Sequence, residues 1–227
     1  MKIRKSLIAL TLLAMVFTVS GCSGGSDKES KKEEDKKEPV VSMVANDVYV
    51  EPVNPTNAQI TAYNKLSAAL ENQDTQEEAK QVAVSFAFDF FTLSNKKDQS
   101  DLGGLEFIPT AYINKFKDFA TAYYYGNYPT IVNEYGKDSL PEVSDVQISG
   151  FEEAQGLQYN AQPVEGYYVD LKVTYKEGKI PVDKLKTSMK VTLIRMYDYD
   201  YNPETDYSGN YAESAQPKQG YRVLALD

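Results

Sequence analysis

The hydrophobic pattern of this chain changes its period once, near Val143, and that change constrains the fold more than any other feature. Before Val143, apolar residues recur every three or four positions, which is the spacing of one helix face. After it, apolar and polar residues alternate, as in strands that bury one side. This order predicts an α+β domain, with N-terminal helices packed on one face of a curved antiparallel sheet of about four strands.

Two long helices are predicted first. Thr56 is a suitable cap for a helix over residues 57–72, in which apolar side chains recur at Ile60, Tyr63, Leu66 and Leu70. A second helix over residues 76–94 begins at one of two competing capping patterns, Thr75 with Glu78 or Asp74 with Glu77. Its apolar residues lie on more than one face, so we expect it to be largely buried. Residues 82–90 also fit an alternating strand, which is the open alternative.

The remaining elements of the N-terminal half are shorter. Pro109 is suited to open a third helix, whose inner side would carry Tyr112, Ile113, Phe116, Phe119, Ala120 and Tyr123. Residues 128–136 are predicted to be a short helical or irregular piece, and residues 43–50 a short strand. Gly103 and Gly104 predict a tight turn with closely packed backbone, because no Lys-Ser/Thr pair follows to make a phosphate loop.

Four strands are predicted after Val143, two of them long. Their inward-facing residues form the sets Val146 and Ile148; Tyr167, Val169, Leu171, Val173 and Tyr175; Met189, Val191 and Leu193; and Tyr221, Val223 and Ala225. Glycine and proline separate these segments, as expected of turns.

The N-terminus resembles a bacterial lipoprotein leader. Basic residues precede an apolar run from Leu7 to Val19, which is short for a membrane span of about 20 residues. Val19-Ser20-Gly21-Cys22 then resembles the lipobox. The resemblance implies that residues 1–21 are removed and that a diacylglyceryl group on Cys22 anchors the protein to the extracytoplasmic face of the cell membrane. The alternative is an ordinary secretory signal followed by a chance cysteine.

The composition after the leader divides the chain in two. Residues 22–39 lack large apolar side chains, so we expect the lipidated cysteine and a disordered charged tether. Residues 40–227 are expected to form a single α+β domain. The net charge is −9, and removing a leader with three basic residues and no acids leaves −12. This acidity argues against nucleic acid as a partner, because phosphates require clustered Lys and Arg.

Two absences restrict the chemistry. The sequence contains no histidine, which excludes Ser-His-Asp and Cys-His catalysis and any histidine-ligated metal. Its single cysteine excludes an internal disulfide bond. Neither absence excludes acid–base chemistry by carboxylates.

Residues 74–227 resemble the NTF2-like superfamily, the cystatin-like α+β roll, in the order and lengths of their helices and strands. The resemblance implies a fold shared by isomerases, dehydratases, non-catalytic ligand binders and assembly modules of secretion machinery. Enzymes of that superfamily commonly use Asp and His in a conical pocket. This chain departs from them because it has no histidine.

An oxygen-rich stretch near the C-terminus resembles the start of an EF-hand calcium loop. Acids and an amide occupy alternate positions, at Asp198, Asp200, Asn202, Glu204 and Asp206. Pro203 stands where the sharp turn needs glycine, and Gly209 stands where the bidentate Glu belongs. The favoured interpretation is therefore a solvated strand end and loop that does not bind calcium tightly.

Asp89 is the one acid inside the apolar part of the second predicted helix. If it faces a pocket between helix and sheet, burial would raise its pKa and suit it to act as a base. The alternative is an outward position on a polar stripe. Tyrosine is also abundant, with 18 residues. Exposed clusters of it suit surfaces that bind proteins or glycans, and the alternative is ordinary core and strand positions.

We therefore expect a membrane-anchored lipoprotein whose domain is a non-enzymatic binding or assembly module for an envelope protein or small ligand, without a cofactor. An NTF2-like pocket enzyme using Asp and Tyr is the alternative. A transporter-associated solute-binding protein is less favoured, because residues 40–227 lack the repeated strand–helix units of two lobes.

Overall fold

The computed structural model describes residues 41–202 and 216–227, which belong to one compact unit. The predicted leader, Cys22 and tether lie outside the described residues, as do Glu204 and Asp206. Within the described ranges, no helix combines the length and apolarity required to cross a membrane.

The first two helices follow the sequence prediction closely. Helix α1 spans Asn57–Glu71 and begins with a reciprocal capping box between Thr56 and Gln59. Helix α2 spans Thr75–Phe91, and its cap is Asp74, whose side chain accepts a hydrogen bond from the Glu77 N–H. The strand alternative for residues 82–90 is therefore wrong, and every residue in that range is buried.

Two shorter helices follow the loop that leaves α2, in which Ser94 and residues 97–100 are exposed and residues 103–105 are buried. Helix α3 spans Ile113–Tyr123, and one 3-10 turn (Thr110–Tyr112) separates it from Pro109. Helix α4 spans Tyr128–Tyr135. The predicted inner face of α3 is wrong at two positions, because the side chains of Phe119 and Tyr123 are 41% and 74% exposed. This end of α3 borders an open cleft instead of the sheet.

Four long antiparallel strands form one sheet in the order β1-β4-β5-β6, and a small separate hairpin contains β2 and β3. The bounds are Val143–Glu153 (β1), Gln158–Tyr159 (β2), Gln162–Pro163 (β3), Gly166–Tyr175 (β4), Ser188–Asp198 (β5) and Lys218–Leu226 (β6). Helix α2 packs against all four long strands. The predicted α+β class, with about four antiparallel strands after the helices, is confirmed.

The strand alternation holds in β4, but it fails in β5, where residues 191–194 are all buried, and near the end of β6. Val169, Leu171 and Val173 are buried as predicted, whereas Ala225 is exposed. The register between β5 and β6 shifts between Val223 and Ala225, so one extra residue of β6 lies between these paired positions. Such a bulge reverses the alternation, and Leu226 packs against the core instead.

Residues 43–50 do not form the predicted strand. The backbone there is bound by side chains of α1: Asn64 accepts from the Val44 N–H at 2.8 Å, and Ser67 donates to the Val44 carbonyl at 2.7 Å. Tyr49 inserts into the core, while Val44 is 55% exposed and helix side chains satisfy its backbone groups.

Candidate functional site

An open cleft of about 590 Å³ lies between α3, α4, the segment 180–186 and the ends of β5 and β6. Its apolar lining includes six aromatic rings, from Phe90, Phe91, Phe119, Tyr123, Tyr124 and Tyr135. Aliphatic groups of Ile131, Leu185, Met189 and Leu226 complete the walls. We call this feature the aromatic cleft.

Packing at the end of α2 fixes the floor of the aromatic cleft. The Tyr124 ring stacks on Phe90 at 5.2 Å between centroids and meets the edge of Phe91 at 5.1 Å. The Tyr124 hydroxyl donates a hydrogen bond to the Phe91 carbonyl at 3.2 Å. These contacts hold the rings in place without a ligand, so the floor is organised in advance for binding.

A second groove of about 400 Å³ runs between α3 and β6. Phe119 and Leu226 line both cavities, so the exposed Phe119 ring separates two neighbouring apolar depressions. Tyr123 lies beside Phe119 with ring centroids 5.1 Å apart. These exposed rings are the accessible edge of an otherwise sheltered apolar surface.

Charged groups of both signs surround the aromatic cleft. Lys184, Lys186, Glu134, Asp183 and Asp227 contribute to its lining. The Lys184 ammonium donates to the Tyr135 hydroxyl at 3.0 Å, which raises the pKa of Lys184. This mixture provides polar contacts around an apolar centre but no excess of positive charge that would select an anion.

Asp89 lies in the interior, so the outward alternative is wrong. It is only 6% exposed, and its Oδ1 accepts hydrogen bonds from Gln59 at 2.7 Å and from Lys96 at 2.8 Å. Its Oδ2 accepts a hydrogen bond from the Gly104 N–H. Since both oxygens are occupied and Asp89 lines none of the cavities described here, a role as a base finds no support in this arrangement.

The glycine turn packs against Asp89 and α2, as the sequence predicted. Gly104 has φ +76°, and a Cβ atom there would lie 2.8 Å from the Phe86 ring. Only glycine fits both the backbone conformation and this close approach. The turn therefore positions the Gly104 N–H on the Asp89 carboxylate, while the Gly103 N–H donates to the Tyr125 hydroxyl at 2.9 Å.

The proposed calcium ligands do not share one environment. Asp198 is 4% exposed and accepts hydrogen bonds from the backbone and hydroxyl of Thr110, and its Oδ2 lies 3.4 Å from Arg222 Nε. The solvated interpretation is therefore wrong for Asp198. Asp200 instead pairs with Lys218 at 2.8 Å on the surface, and Asn202 is exposed. Within the described ranges, no group of acids is arranged to hold a metal ion.

Two further acids, Glu78 and Glu106, were not candidate site residues in the sequence, where Glu78 appeared only in a capping pattern. Glu78 accepts a hydrogen bond from the Tyr49 hydroxyl at 2.7 Å, and burial raises its pKa despite that bond. Glu106 lies in the turn Leu105–Phe107, where burial and the Asp89 charge raise its pKa to about 8. Neither acid lines the aromatic cleft or the groove beside α3. The two acids whose pKa is raised, Glu78 and Glu106, are thus separate from the aromatic cleft and its neighbouring groove.

Comparison of the chain with protein-family models, with curated proteins and with solved structures finds no match.

Proposed function

We propose that this protein is a membrane-anchored extracytoplasmic lipoprotein whose domain binds a ligand with an apolar portion in the aromatic cleft, without catalysing a reaction. The leader and the lipobox ending at Cys22 support the anchor. The single observation that supports ligand binding is the aromatic cleft itself, lined by six rings and open to solvent. The order of helices and strands is compatible with an NTF2-like roll, which we retain as part of the proposal.

The size and composition of the cleft fit a small ligand or the side chains of a bound protein segment. Sites for small molecules enclose about 300–1,000 Å³ and combine apolar walls with a few polar groups. Burying an aromatic or aliphatic group of the ligand against these rings would remove apolar surface from water, which is the main source of affinity.

The separation of the cleft from the altered acids favours binding over the enzyme alternative. An enzyme of the Asp/Tyr type needs an acid that reaches a bound substrate within about 2.6–3.2 Å, directly or through one water. Asp89, the acid that the sequence offered for this role, is instead bound by protein donors, and neither Glu78 nor Glu106 lines the cleft. The acids that do line it, Glu134, Asp183 and Asp227, share its rim with Lys184 and Lys186. Exclusion of nucleic acid continues to rest on the acidic charge.

A dye-binding experiment tests the cleft. We would titrate the protein with 1-anilinonaphthalene-8-sulfonate and compare Phe119→Ala with the matched control Tyr197→Ala. The Tyr197 ring is 65% exposed and lines neither the aromatic cleft nor the groove beside α3. Removing a ring that contacts the dye should weaken binding about tenfold, since burying such a group contributes about 1.5 kcal/mol or more. Equal affinity of the wild type and both variants would contradict binding at the cleft.

The anchor is tested separately. Cells producing the full chain or its Cys22→Ala variant would be labelled with a radioactive fatty acid and fractionated. We expect label and membrane association only with Cys22 present. Incorporation of label into the variant would refute the assignment, whatever the outcome of the dye experiment.

A further inference from the structure

Glu106 has an unusual position in the turn Leu105–Phe107. Its side chain is half-buried, and its Oε1 atom is buried without a hydrogen-bond partner among the described residues. A carboxylate oxygen removed from water without a donor is costly, whereas a protonated carboxyl carries no charge to be desolvated. The site therefore favours the neutral form of this side chain.

The charged neighbours of Glu106 are already paired with other groups. Asp89 of α2 and Lys96 of the following segment form an ion pair at 2.8 Å, and Arg222 of β6 lies 3.4 Å from Asp198. The phenols of Tyr63 and Tyr125 also face this region. A negative charge on Glu106 would add a second anion beside Asp89 while both cations are committed elsewhere.

The directions of the pKa effects agree with this geometry. Burial is the largest cause and the Asp89 charge is the second, and together they raise the pKa of Glu106 to about 8. Lys96 and Arg222 act in the opposite direction but do not cancel the rise. Glu106 therefore keeps its proton to a higher pH than an ordinary surface glutamate does.

The turn that carries Glu106 continues directly into the wall of the groove beside α3. Ile108, Pro109 and Tyr112 line that groove, and Phe107 is buried against Tyr49 with ring centroids 5.6 Å apart. A displacement of the turn would thus change the shape of an apolar surface that Phe119 shares with the aromatic cleft.

We propose that Glu106 is a proton-controlled latch: the protonated side chain keeps the turn Leu105–Phe107 seated, and loss of the proton moves that side chain toward water and loosens the groove wall. The mechanism involves only transfer of a proton to solvent. It does not depend on what the aromatic cleft binds.

Carbon-detected NMR of the folded protein tests the latch directly. Side-chain carboxyl resonances of the glutamates would be followed from pH 5 to pH 10, together with the backbone amides of Gly104 and Phe107. We expect the Glu106 carboxyl to titrate with a midpoint near pH 8 and both amides to shift with the same midpoint. A Glu106 midpoint below pH 6 would overturn the proposal, as would a midpoint near 8 with both amides unmoved.

Two variants separate the latch from general effects of alkaline pH. Glu106→Gln keeps the shape but cannot ionise, so the amides of Gly104 and Phe107 should lose their inflection near pH 8. Glu153→Gln changes an exposed glutamate of β1 and should retain that inflection. An inflection that persists in Glu106→Gln would also overturn the proposal. If that variant does not fold, the wild-type titration decides the question alone.

Discussion

Replacing Phe86 with alanine tests the packing of α2 against α3 and the Gly104 turn most directly. The Phe86 side chain is fully buried, stacks on Phe90 with ring centroids 5.3 Å apart and meets the edge of Phe116 at 6.0 Å. The turn at Gly104 closes over the same ring, since an added Cβ there would lie 2.8 Å from it. Truncation would therefore leave a cavity that rigid backbone surrounds on several sides.

The expected loss follows from these contacts. Phe→Ala substitutions in cores cost about 3–5 kcal/mol, and the upper part of that range applies where the surroundings do not collapse. Urea melts of the protein would measure the free energy of unfolding. The control is Tyr197→Ala, which removes an exposed ring and should change this free energy by about 0.5 kcal/mol or less. A loss below about 1 kcal/mol for Phe86→Ala at an unchanged m-value would refute the packing.

Three other outcomes are expected. Asp198→Ala should destabilise the domain by about 3–5 kcal/mol because it leaves a buried guanidinium unpaired, whereas Asp200→Ala should change a urea melt by about 1 kcal/mol at most. Tyr49→Phe removes the hydrogen bond that favours ionised Glu78. Because burial raises the pKa of Glu78, the free energy of unfolding measured in urea should fall more at pH 7 than at pH 4, where this acid is mostly protonated in both the folded and the unfolded protein. A fall in the free energy of unfolding that is equal at both pH values would contradict that role for Tyr49. Calorimetric titration with calcium, repeated with magnesium and with Asp200→Asn, should show no saturable micromolar site; calcium-selective binding lost in the variant would show the opposite.

Local patterns predicted the elements of this fold well, because caps and periodicity act over a few residues. Thr56 and Asp74 begin their helices through hydrogen bonds to nearby backbone, and the alternation in β4 requires only one buried face. The C-terminal end of α3 was predicted wrongly, because periodicity reports an apolar stripe but not whether a partner covers it. Phe119 and Tyr123 belong to such a stripe and instead border the aromatic cleft.

The burial of Asp198 and Glu78 could not be predicted from the sequence for a different reason. Asp198 is held by Thr110, which lies 88 residues away, and Glu78 is held by Tyr49, 29 residues away. No local spacing records such partners, so alternate acids near Asp198 resembled a calcium loop. The aromatic cleft was only partly predictable: the tyrosines clustered in the sequence, but the cavity they line requires the packing of α3, α4 and the sheet.

The two outer strands of the sheet have a consequence for self-association. A regular edge presents unpaired backbone groups on which another chain can extend the sheet, and this is a route to aggregation. Here β1 and β6 both contain register shifts, and the Tyr49 hydroxyl accepts the Tyr221 N–H at 2.7 Å in place of a neighbouring strand. Arg222 donates to the Tyr221 carbonyl at 3.1 Å. The Tyr49 phenol and the Arg222 guanidinium thus occupy the backbone N–H and carbonyl of Tyr221 at the β6 edge. A second copy of the chain would therefore gain few backbone hydrogen bonds by pairing with this edge.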